Sequence, residues 1–214
     1  MSEEKVKKPI HKKWWFWLIL VIAFFGIFGS GGGSKSGSSS SSASSSSAPE
    51  AAKLDPIDEK RPENQTRFIE AVSAAQKKSK DADNDMQRGS AKSERDKNLC
   101  ALVKNMKVKD WTGTITKITS NSDGKGVVEV EIAKNITVKT WNNSLSDLGD
   151  HTLIEPGTKF FDFVASLKKG TKIQFSGNFF RGSSGDCVKE SSMSLRGKLE
   201  DPEFIFSFGE IGTI

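Results

Sequence analysis

Residues 156–170 read PGTKFFDFVASLKKG. Pro156-Gly157 turns the chain, Thr158 is placed to cap a helix, and Gly170 stops it, so a short helix is predicted over 159–167. The chain on both sides reads as strand. Upstream, 111–120 (WTGTITKITS) is rich in β-branched residues and ends in Asn121-Ser122-Asp123-Gly124, a strong turn signal. Ile115 and Ile118 fall on opposite faces of that run, which predicts a bulge or strong coil near Gly113. Residues 127–133 alternate with Val128, Val130 and Ile132 on one face, and 136–141 form a third run after the short connection 133–135. Downstream, 171–180 places Ile173, Phe175, Gly177 and Phe179 together, and 191–199 does the same for Met193, Leu195, Gly197 and Leu199. Phe204, Phe206 and Phe208 make a heavy last strand after Asp201-Pro202.

The order is three strands, a helix, two strands and one more. It predicts a mainly β fold over 107–214, an OB-fold-like five-stranded barrel with an extra C-terminal strand. The helix would plug the barrel, which accounts for Phe160, Phe161, Phe163 and Leu167. The competing architecture is an open α+β sheet with helices on one face. Ahead of the strands, 63–106 is helical. Phe68, Ile69, Val72 and Ala75 form one stripe, and Leu99, Leu102, Val103 and Met106 a second. Asn84 and Gly89 mark 81–90 as a turn, giving an α-helical hairpin; one bent helix is the alternative.

The remaining chain sets location. Residues 1–13 hold five Lys, 14–29 (WWFWLILVIAFFGIFG) are almost wholly apolar, and 30–48 hold twelve Ser. The apolar run spans about 24 Å as a helix, short of the ~30 Å hydrocarbon core, but Lys12 and Lys13 can snorkel and Trp14, Trp15 and Trp17 suit the interface. We read 1–13 as a cytoplasmic tail, 14–29 as an N-terminal transmembrane helix and 30–62 as a flexible Ser/Gly/Pro-rich linker reaching roughly 24 Å over its Ser/Gly part. The rival reading is a cleaved leader. Either places the rest of the chain outside the cytoplasm, at the cell membrane or in the cell envelope.

The net charge of +5 divides unevenly. Residues 1–13 carry +3, whereas 107–214 hold fourteen basic and fourteen acidic groups. The folded part has no cationic surplus with which to displace phosphate counterions, so no nucleic-acid partner is expected. Two Cys, two His and no CxxC or HExxH leave no metal site to expect, and no cofactor. Cys100 and Cys187 are the only cysteines and lie in an oxidising compartment on this reading, which predicts a disulfide stapling the helical segment to the barrel. A buried free thiol at Cys100 is the alternative.

Chemistry-bearing residues each have a plainer explanation. His151 sits in Asp147-Leu148-Gly149-Asp150-His151-Thr152 without a second His or Cys nearby, so a solvated loop explains it. Asp147, Asp150, Glu155 and Asp162 could supply paired carboxylates, but a loop and a helix start account for them. The linker serines have no G-x-S-x-G setting. Trp141 and Phe180 point away from the core faces of their strands and are the candidate binding residues, able to stack on bases or sugars; packing against the N-terminal helices is the alternative.

The runs Asp110-Trp111-Thr112-Gly113, Asp123-Gly124-Lys125-Gly126-Val127, Leu153-Ile154-Glu155-Pro156-Gly157, Phe175-Ser176-Gly177-Asn178-Phe179-Phe180 and Asp201-Pro202-Glu203-Phe204 resemble a group of uncharacterised bacterial membrane-anchored proteins with a C-terminal anticodon-binding-like OB fold. The resemblance covers about 62–211. It implies a fold and carries over no catalytic residue. The function expected is a membrane-tethered, extracytoplasmic binding or interaction module for an envelope protein or polymer, and not an enzyme. A nucleic-acid-binding OB-fold protein and an envelope-polymer hydrolase are the alternatives.

Overall fold

A computed structural model describes residues 55–183 and 185–214. The tail at 1–13, the apolar run at 14–29 and the linker up to residue 54 lie outside the described residues. Among the described residues no helix is long and apolar enough to cross a membrane.

Folding starts earlier than the linker reading allows. Helix α1 (Pro56–Glu59) lies inside the stretch read as tether, capped by Asp55, whose carboxylate accepts from the Ile57 amide at 3.0 Å. Ile57 is buried, and its carbonyl accepts from the Thr112 hydroxyl at 3.0 Å. The apolar contact and the paired carbonyl hold this short helix against the sheet. Helices α2 (Glu63–Lys80) and α3 (Asp85–Leu102) form the expected hairpin. The turn is tighter than predicted: Asn84 caps α3 by accepting from the Gln87 amide at 3.1 Å, and Gly89 lies within the helix. Val103 and Met106 extend the apolar stripe past the helix end; both are buried, with Met106 in the left-handed region at φ 56°.

The strands are β1 (Lys107–Ser120), β2 (Gly126–Ala133), β3 (Ile136–Lys139), β4 (Lys172–Phe179) and β5 (Glu203–Thr213). They form a mixed five-strand sheet whose ladder closes in the order β1-β2-β3-β5-β4, a closed barrel. Only β3 and β5 run parallel. The long β1 makes closure possible, since its first half pairs with β4 and its second half with β2. Register shifts lie between Val108 and Trp111 and between Ile115 and Lys117, flanking Gly113. The second shift returns Ile118 to the side of Ile115, so both touch the main core.

Two expectations about the strands are corrected. The last strand is not an extra one: the Phe204, Phe206 and Phe208 run is β5 itself, and the five strands of the described residues close without 191–199. Helix α5 (Leu195–Glu200) occupies most of the segment read as strand 191–199, with Ser194 capping the Gly197 amide at 3.0 Å. Leu195 and Leu199 are four apart and share the helical face that packs with Ala75 and Ala91, whereas Met193 is 97% exposed. The apparent alternation came from residues that never share a sheet face. In addition, β3 ends at Lys139, because the Trp141 amide donates to the Thr152 hydroxyl at 2.8 Å rather than to a strand.

Helix α4 (Lys159–Ser166) falls between β3 and β4 as predicted, and the Thr158 hydroxyl accepts from the Phe161 amide at 3.1 Å. Val164 is buried, and Phe160, Phe161 and Leu167 pack against the barrel. Phe163 does not join them: it lies on the outer face and is 39% exposed.

One core runs through helices and barrel. Phe68 of α2 is fully buried and meets Trp111 and Phe204 edge to face, with ring centroids 5.1 Å away in each case. Phe179 stacks on Phe68 at 5.4 Å and meets Phe206 edge-on at 4.9 Å. Buried Gln65 behaves as a strand partner, donating to the Thr112 carbonyl at 2.6 Å and accepting its amide at 2.8 Å. It thereby satisfies backbone groups that would otherwise be buried without a partner.

Gly177 shows how tightly the barrel closes. A Cβ there would stand 2.1 Å from the Ser207 carbonyl oxygen and 2.6 Å from the Phe206 ring. Gly177→Ala is therefore expected to destabilise by at least about 2 kcal/mol in urea unfolding. Gly89→Ala, with nothing within 4 Å of its Cβ, is expected to stabilise α3 by up to about 1 kcal/mol. Equal effects at the two positions would contradict this packing.

Candidate functional site

Trp141 and Phe180 leave the ends of β3 and β4, and two charged residues connect them. The Trp141 indole N–H donates to Asp150 Oδ2 at 2.8 Å. Lys189 Nζ donates to both Asp150 oxygens, at 2.7 and 2.8 Å, and stands 5.9 Å from the Phe180 ring centroid, a cation–π distance. Both rings are half-buried and neither belongs to the main core. The expectation of two outward aromatics on the sheet is thus refined into a linked aromatic–acid–lysine–aromatic arrangement at the strand ends.

Lys189 also lines an adjoining open cleft of about 590 Å³, with Lys92, Asp186, Glu190, Met193 and Lys198 among its other walls. Beneath it lies a buried charge network that joins α3 to the connection between β4 and β5. The Arg95 side chain is fully enclosed. It donates to Asp96, Glu190 and the Lys198 carbonyl, and its guanidinium lies 5.7 Å from the Phe204 ring centroid. Lys92 bridges Asp96 and Asp186, and Lys198 reaches Asp186 at 2.6 Å. Each of the three cleft lysines therefore already has a carboxylate partner.

Burial and pairing pull these groups in opposite directions. For Glu190 burial wins over Arg95, and the carboxyl is pushed up to about 7. For Asp186 burial is outweighed by hydrogen bonds from Lys198 and Lys92, which hold it below the usual carboxylate range. The same contest raises Lys92, where Asp186 and Asp96 overcome desolvation. Because folded Glu190 holds its proton over a range where the unfolded residue has released it, its linkage makes stability fall as pH rises from about 4.5 to about 7. The loss is on the order of 3 kcal/mol. Thermal unfolding across that window is expected to show this decline, and Glu190→Gln should flatten it. A wild-type stability that rises steadily over the window would contradict the assignment.

The disulfide joins Cys100 of α3 to buried Cys187, with Cα atoms 5.4 Å apart. It lies beside the Arg95 network and fixes the same two segments covalently.

The other candidates are dispersed. His151 is exposed and holds a left-handed conformation at φ 52°. Asp147 is buried and accepts from the Thr152 amide and hydroxyl, both at 2.7 Å, and from the Leu153 amide at 3.2 Å, so it braces its own loop. Glu155 pairs with Lys125 at 2.6 Å, and Asp162 is exposed in the first turn of α4. The four carboxylates are not brought together around a shared space. Among the described residues no group of three or more His, Cys, Asp or Glu could hold a metal ion.

Sequence reasoning overlooked Arg95, which looked like one charge among many on α3. Its spacing carried a signal, since it lies four residues after Ala91 and four before Leu99, on the buried stripe. The chain matches no protein-family model and no curated protein sequence.

Proposed function

We propose that this chain is an extracytoplasmic binding module held at the cell membrane by residues 14–29, with a folded unit of the OB-fold type that engages an envelope protein or polymer without turning it over. The observation that carries the reading is the Cys100–Cys187 pairing, which suits an oxidising compartment and agrees with the basic, apolar, Ser-rich order of the N-terminus. Support for the fold name is the strand order, with β1 shared between two neighbours and α4 placed between β3 and β4. Support for the binding surface is the Trp141–Asp150–Lys189–Phe180 arrangement on the strand ends. The equal numbers of basic and acidic groups in 107–214 argue against a polyanionic ligand.

A C-terminal alkaline phosphatase fusion is expected to be active and the matching fluorescent-protein fusion dark. The reverse would overturn the location. In-cell crosslinking from Trp141 is expected to capture an envelope component. Submicromolar binding of single-stranded DNA at physiological salt would replace this reading with the nucleic-acid one.

A further inference from the structure

We infer that the outer face of α4 and the turn after it form a docking surface for an anionic phospholipid bilayer. The proposal rests on reading 14–29 as a membrane anchor and goes beyond it, since an anchor alone does not orient the domain. On α4 the residues Phe160, Phe161 and Val164 turn inward, which leaves Lys159, Asp162, Phe163 and Ser166 on the outer stripe. Phe163 stays 39% exposed while its aromatic neighbours pack against the barrel. Lys168 and Lys169 follow in the turn that Gly170 closes.

Among the described residues Lys159, Lys168 and Lys169 are exposed and form no salt bridge; Lys104, Lys107 and Lys109 share that state but have no exposed aromatic ring among them. Asp162 is the one acidic group on this stripe, so the surface carries two net positive charges around an exposed ring. An aromatic side chain flanked by lysines matches the boundary between headgroups and acyl chains.

The start of the described residues favours this face. Asp55, the first described residue, is paired with Lys172 at 2.9 Å, and Lys172 follows the Lys168-Lys169 turn at the start of β4. The first described residue therefore lies beside the proposed surface. Leu145 and Leu148 are less suited. They are 82% and 80% exposed, but their loop has no lysine of its own, and the one that reaches it, Lys189, is held by Asp150, so the loop offers an anionic surface no free cation.

Hydrogen exchange on the full chain in lipid nanodiscs tests the proposal, comparing discs of phosphatidylcholine alone with discs of phosphatidylcholine and phosphatidylglycerol. Near an anionic surface two net charges favour the docked state by roughly 30-fold. Exchange over 159–171 is expected to slow in the anionic discs only, to recover at high salt, and to recover in the variant Lys159→Glu, Lys168→Glu, Lys169→Glu. Exchange over β5 should be the same throughout, which controls for folding of the variant. If the chain enters the discs and 159–171 exchange equally in both lipids, or protection falls on 142–150 instead, docking by α4 is wrong and the anchor stands. If the chain does not enter the discs at all, the anchor reading fails and the docking proposal falls with it.

Discussion

Replacing Arg95 by Met is expected to cost about 3–5 kcal/mol of folding stability at pH 8, the range seen when one partner of a buried ion pair is removed. The guanidinium is fully enclosed and serves Asp96, Glu190 and the Lys198 carbonyl at once. Without it Glu190 is a buried carboxylate with no cation, while Asp96 keeps Lys92. The penalty should shrink at pH 5, because the Glu190 carboxyl, already held up to about 7 by burial, stays protonated there and needs no cation. Adding Glu190→Gln should remove most of the difference between the two pH values. Urea unfolding of the single and double variants measures all three effects. A cost below about 1 kcal/mol, or one independent of pH, would show that the network contributes little.

Removing the disulfide should have an effect of similar size by a different route. Cys100 and Cys187 are 87 residues apart in sequence. Closing a loop of that size constrains the unfolded chain by roughly 4–5 kcal/mol on the entropic account. The variant Cys100→Ser, Cys187→Ser is thus expected to lose several kcal/mol relative to the oxidised protein, while reduced wild type unfolds near the same urea concentration. Loss of the crosslink should loosen the connection between β4 and α5 first, since that segment contributes few residues to the main core. Barrel strands should retain their amide protection until global unfolding.

Local signals made much of the fold legible. Thr158 and the Phe160–Phe161–Val164 spacing identify α4, and Val128, Val130 and Ile132 identify the buried face of β2. The turn at Asn121 is equally local: its side chain accepts from the Asp123 and Lys125 amides at 3.0 and 2.9 Å, and Gly124 takes φ 79°. What escaped depends on closure. The start of β1 at Lys107 is apparent only when β4 pairs there, because Lys107, Lys109 and Asp110 carry no strand pattern of their own. Helix α5 was obscured by Gly197, which mimics alternation between Leu195 and Leu199. The candidate site follows the same division. Trp141 and Phe180 were named from strand alternation but lie just past the ends of β3 and β4, and Asp150 and Lys189, 39 residues apart, become partners only when the loops meet. Arg95 and Glu190, 95 residues apart, meet in the same way.

The proposed function requires an extracytoplasmic unit in which α3 is fixed covalently to the barrel. Acid-quenched thiol trapping of the full chain taken directly from its native cells tests it in one measurement. Neither Cys100 nor Cys187 is expected to react with a maleimide in the denatured, unreduced protein, and both are expected to react after reduction. Two freely labelled thiols before reduction would contradict both the crosslink and the compartment it implies.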